Sequence, residues 1–117
     1  MVGFYDADEL EGVIEALKSE VKKLARAEDL ASRRGASPMA DAIRAWRITL
    51  EALLGLAVQV LEDYRRHGRL AASERACVLE SKVRRVYLNI DKYNPVSTGY
   101  RPLLINLQEA ASRICRG

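Results

Sequence analysis

The chain has 117 residues, 49% hydrophobic and 30% charged, with a formal net charge of +3. That balance excludes a disordered chain, and no apolar run approaches the roughly 20 residues that a transmembrane helix needs. The length suits one domain over residues 1–117, large enough to bury about 65% of its unfolded surface without a metal or disulfide. Asp6, Asp8 and Glu9 stand where a signal or transit peptide would carry bases, so the expected compartment is the cytoplasm.

Charge is unevenly spread. Residues 1–30 hold eight acids against four bases, and residues 31–117 hold fifteen bases against eight acids. Arginine outnumbers lysine fourteen to five. Arginine-rich surface favours phosphate and carboxylate partners through bidentate hydrogen bonding. It is also what a thermophilic genome can produce with no ligand involved.

The first helix is predicted over about 6–34. Asp6 and Glu9 form a capping-box pattern, with Phe4 or Tyr5 able to staple the entry. Leu10, Ile14, Leu17, Val21 and Leu24 then recur at alternating steps of four and three, the spacing of one helix face. Ala27 and Ala31 extend the stripe, and Arg33, Arg34 and Gly35 end it.

The second helix, about 38–66, organises the rest. Ser37 and Pro38 mark its start; Arg65, Arg66 and Gly68 mark its end. Its stripe runs through Met39, Ile43, Trp46, Leu50, Leu53, Ala57, Val60 and Tyr64. Leu54, Leu56, Val58 and Leu61 make the other faces apolar too, which predicts a rod buried nearly all round.

Ser73 and Glu74 open a third helix, about 74–93, with the stripe Ala76, Leu79, Val83, Val86, Ile90 and Tyr93. Asn94-Pro95 ends it. Residues 94–101 form a loop, and Pro102 starts a fourth helix, about 102–115, through Leu103, Leu104, Leu107, Ala111 and Ile114.

The fold class predicted is all-α: an antiparallel up-down four-helix bundle with two long N-terminal helices and two shorter C-terminal ones. The third helix is about 14 Å shorter than the second at 1.5 Å per residue. Unless the 94–101 loop folds back, Ala27, Ala31, Met39, Ile43 and Trp46 are left uncovered at the hairpin tip. Met39, Ile43 and Trp46 are therefore the expected interface of a homo-oligomer or of a subunit in a larger complex.

An enzyme is hard to build from these residues. The single histidine, His67, closes a helix with no serine or cysteine beside it in a local motif. No glycine-rich phosphate loop, His-Glu-x-x-His or Cys-x-x-Cys spacing occurs, and neither cofactor nor metal is expected. Asp8, Glu11 and Glu15 share one side of the first helix and supply a weaker, metal-dependent alternative. Cys77 and Cys115 fall at the same end of an antiparallel helix pair, within reach of a disulfide if their Cα atoms come within about 7 Å. In a mesophilic cytoplasm two small buried thiols are the expected state, with the bridge the alternative that a hyperthermophilic source would favour.

Basic residues give the functional lead. Arg65, Arg66, Arg69, Lys82, Arg84 and Arg85 crowd a stretch whose acids are Glu74 and Glu80. Such a run can neutralise a phosphate backbone without reading sequence. The expected function is thus a small, non-enzymatic, assembling subunit that contacts RNA or single-stranded DNA. The alternative is a protein-interaction module whose arginines meet acidic protein surfaces.

Overall fold

The structure, a computed structural model, describes the backbone of residues 2–116 and the side chains of residues 5–116. Four α-helices follow one another: α1 (Val2–Arg33), α2 (Ser37–His67), α3 (Arg69–Leu88) and α4 (Arg101–Arg116), with a 3₁₀ turn over Ile90–Tyr93. The described residues contain no strand, and no helix is long and apolar enough to cross a membrane.

Neighbours in sequence are neighbours in space. α1 packs on α2, α2 on α3, α3 on α4 and α4 back on α1, closing an all-α four-helix bundle measuring 51 × 24 × 18 Å. The core is made by the predicted stripes: Leu10, Ile14, Leu17, Trp46, Leu50, Val60, Leu79, Val83, Leu104, Leu107 and Ile114 are all but inaccessible.

The turns explain the up-down course. After α1, the Ala36 N–H reaches the Ala31 carbonyl at 2.9 Å and the Gly35 N–H reaches Ser32 at 3.1 Å, with Gly35 at φ +76°. This paired Schellman pattern satisfies the last carbonyls of the helix. Gly68, at φ +90°, closes α2 by donating its N–H to the Tyr64 carbonyl at 2.8 Å.

Several boundaries differ from those predicted. α1 begins at Val2 because Asp6 and Glu9 lie within the helix and are drawn to arginines instead of forming a cap. The stapling role of Phe4 lies outside the described residues, and Tyr5 is exposed. α3 begins directly after Gly68, since Ser73 donates to the Cys115 carbonyl at 2.8 Å and does not cap a helix. α3 stops at Leu88, short of the predicted end, and Tyr93 belongs to the 3₁₀ turn.

The expectation of an all-round buried α2 is corrected. The four-helix packing covers α2 toward α1 and α3 only. Leu54, Leu56 and Val58 are half-buried, while Ile48, Ala52 and Gly55 are exposed.

The 94–101 loop does fold back over the hairpin. Tyr93 and Tyr100 place their rings 5.0 and 5.4 Å from Trp46, and Tyr93 shares a 3.2 Å hydrogen bond with Thr49 of α2. Ser97, itself buried, donates to the Ile90 carbonyl at 2.8 Å and ties the loop to the 3₁₀ turn. Trp46, Ile43 and Ala31 are buried, against the expected uncovered tip. The loop aromatics cover the first; the α1–α2 pair itself closes over the other two. Of the expected interface residues, only Met39 stays exposed, and Leu30 and Ala27 lie exposed at the same tip.

Candidate nucleic-acid interface

The acids of α1 meet the bases of the later helices at one end of the bundle. Arg65 bonds Glu11 at 2.6 Å and approaches Asp8 at 3.9 Å. Arg69 pairs with the buried Asp6 and also donates to the Arg113 carbonyl at 2.6 Å. Arg113 pairs with Glu9, and Arg116 reaches the buried Glu80 at 3.3 Å. The Arg65 guanidinium holds the Glu11 carboxyl below its ordinary range, and Glu11 in turn raises Arg65.

This closed network changes the standing of the predicted site residues. Arg65 and Arg69 are occupied by acids of their own chain. The sequence asymmetry between an acidic start and a basic remainder is largely answered inside the molecule. Local pattern reading missed this because the partners lie about 50 to 100 residues apart in the chain.

The other four residues divide between two helices. Lys82, Arg84 and Arg85 are exposed on α3, and none of them makes an ion pair among the described residues. Lys82 and Arg85, three residues apart, share one edge of the helix. Arg84 lies on the other edge, in a shallow groove against α4 with Ile105, Gln108 and Glu109. Arg66 is exposed and unpaired too, but it sits near the end of α2, roughly 20 Å along the bundle axis from Lys82. The six residues therefore do not converge, and the part that remains together is the second half of α3.

Several other bases are committed elsewhere, while Lys22, Arg26 and Arg34 are exposed and make no ion pair among the described residues. Arg75 bonds Asp63 at 2.7 Å, and Arg101 bonds Asp91 at 3.1 Å while lying over the Tyr87 ring. At the hairpin tip, Glu28 accepts from Arg44 at 2.8 Å and from Arg47 at 2.9 Å; both guanidinium groups lower its carboxyl. Lys92, in the 3₁₀ turn after α3, is exposed and unpaired, extending the basic run by one charge.

Chemistry of other kinds finds little footing. Asp8 and Glu11 are taken by Arg65 and Glu15 by Lys18. Among the described residues no group of three or more His, Cys, Asp or Glu side chains is placed to hold a metal. An open hollow of about 540 Å³ lies between α1, the loop and the start of α4, lined by Ser19, Glu20, Tyr100 and Asn106 among others. Burial, with the Glu20 carboxylate beside it, pushes the Tyr100 hydroxyl up to about 12. A phenol so reluctant to ionise is a poor general base at neutral pH. His67 is exposed at the end of α2.

Cys77 of α3 and Cys115 of α4 are joined by a disulfide, with Cα atoms 4.8 Å apart. The bridge lies at the same end as the ion-pair network and leaves the opposite end, the α1–α2 hairpin, unstapled.

Compared with protein-family models, curated proteins and solved structures, the chain matches none.

Proposed function

We propose that the protein is a small, non-enzymatic, assembling subunit that contacts the backbone of RNA or single-stranded DNA through the second half of α3. One observation carries this reading: among the described residues Lys82, Arg84 and Arg85 have no acidic partner, while Arg65, Arg69, Arg75, Arg101, Arg113 and Arg116 each have one. Lys82 and Arg85 on one edge of α3 and Arg84 on the other make a short, split electrostatic footprint with no base-reading element, so binding is modest, sequence-independent and salt-sensitive. The protein is proposed to work in the cytoplasm; there, a persistent Cys77–Cys115 bridge would point to a thermophilic source.

Binding of a random-sequence, fluorescently labelled single strand tests the reading. Neutralising three phosphates gives a slope of log K against log salt of about −2. The triple variant Lys82→Ala/Arg84→Ala/Arg85→Ala should abolish the signal, and Arg75→Ala, whose partner is Asp63, should leave it nearly intact.

A second reading, a protein-interaction module without nucleic acid, draws on the closed network that consumes most of the arginines. Absence of oligonucleotide binding at low salt would favour it.

A further inference from the structure

The outward face of α2 bears a pattern that its own bundle does not use. Ala45, Ile48, Ala52, Gly55 and Gln59 follow one another at steps of three and four, and all are exposed. The same face continues to Asp41 at one end and to Glu62 and Arg66 at the other, again exposed and, among the described residues, without an ion pair or side-chain hydrogen bond. The stripe from Asp41 to Arg66 is about 38 Å long at 1.5 Å per residue. It lies on the most apolar helix of the chain, and half-buried Leu56 borders it.

Gly55 is a second observation. A glycine inside a helix is unfavourable relative to alanine. Within the bundle nothing lies within 4 Å of where a Cβ on Gly55 would stand. No close approach inside this chain calls for the missing side chain, as is also true of Gly12 in α1; what sets Gly55 apart is its place at the centre of the exposed α2 stripe.

We propose that α2 is a homodimer interface, occupied by α2 of a second copy running antiparallel across it. The stripe is self-complementary about its centre. A two-fold axis between Leu53 and Leu54 sets Ala52 against Gly55 of the second copy, Ile48 against Gln59, Ala45 against Glu62 and Asp41 against Arg66. The steps of four and three read the same in both directions, so every position meets another position of the stripe. Small residues at the centre let two backbones come close. The unpaired acid at one end meets the unpaired arginine of the other copy at both ends, which is the isologous geometry of a two-fold dimer. A parallel pairing would set Asp41 against Asp41 and Arg66 against Arg66, and the charges reject it.

This inference rests on the reading of the protein as an assembling subunit, but not on nucleic acid. The surface lies on α2, and the basic residues proposed to contact nucleic acid lie on α3. Sedimentation equilibrium without oligonucleotide separates the two. The 13.1 kDa chain should rise toward twice that mass with concentration, and the α3 triple alanine variant should do the same. Gly55→Trp should keep the wild-type helical circular dichroism spectrum and stay monomeric. If that variant fails to fold, the charge swap decides. Asp41→Arg and Arg66→Glu should each weaken the dimer roughly tenfold through like-charge contacts at both ends, and the double variant should regain wild-type affinity. A wild-type chain that stays monomeric at every concentration overturns the proposal. So does a Gly55→Trp dimer of undiminished affinity, or a double variant no better than its single parents.

Discussion

The Tyr93 ring lies 5.0 Å from the Trp46 ring, tilted 48° against it. That contact brings the 3₁₀ turn and the following loop onto the central helix where α3 has already ended. Tyr100 completes the cover from the far side of the loop in an edge-on arrangement. An uncovered tryptophan thus becomes a fully buried one.

Tryptophan emission reports this directly, because Trp46 is the only tryptophan. Its spectrum should be blue-shifted and resist acrylamide quenching in a dilute monomer. Trp46→Ala should cost about 3–5 kcal/mol of stability, as truncating a buried large aromatic does. Tyr93→Phe, which removes only the hydrogen bond with Thr49, should cost about 1 kcal/mol. Red-shifted, readily quenched emission would contradict the fold-back.

Arg69 and Arg84 should behave as opposites. The Asp6–Arg69 pair is largely buried, and removing either partner leaves an uncompensated charge, so Arg69→Ala should destabilise by about 3 kcal/mol. Arg84 is exposed and unpaired, and Arg84→Ala should leave urea unfolding within about 0.5 kcal/mol of wild type. Equal effects on stability would undo the division between structural and available arginines.

The disulfide closes a loop with a sequence separation of 38. The chain-entropy account puts its contribution at about 4 kcal/mol. Urea unfolding with and without a reductant should differ by that order, and the native protein should show no free thiol in a denaturing assay.

Acid should weaken the fold through Glu28 and Glu11, both held below the ordinary 4.5 by arginines. Their folded values are depressed, so their stabilisation is present above about pH 4.5 and is lost as pH falls through the folded values. At the alkaline end the sign reverses. Tyr100, raised to about 12 from 10, keeps its proton when the unfolded chain has lost it, so stability declines as pH rises between those values. A pH series of melts should show a flatter acid limb in Glu28→Gln. An ultraviolet titration should show a component near pH 12 that is absent in Tyr100→Phe.

The architecture was largely legible because the four-three stripes are long and unbroken: every residue of the α2 stripe itself except Met39 is buried. Charge pairing was not legible. Asp6 and Glu9 have the spacing of a local cap, and no nearest-neighbour rule says that Arg69 and Arg113 will claim them. The exposure of Ala52 and Gly55 was hidden for a related reason. All-round apolarity signals burial without saying whether the cover comes from the same chain. Cys77 and Cys115 could be brought together by helix lengths alone, since both sit a similar number of residues from the intervening loop.

The most direct test of the central claim is the mass in solution by light scattering, with and without a mixed RNA and DNA oligonucleotide, at low and high salt. The account predicts a mass increase with oligonucleotide at low salt that disappears at high salt and is missing in the Lys82, Arg84 and Arg85 triple alanine variant. A mass indifferent to oligonucleotide at low salt would contradict it.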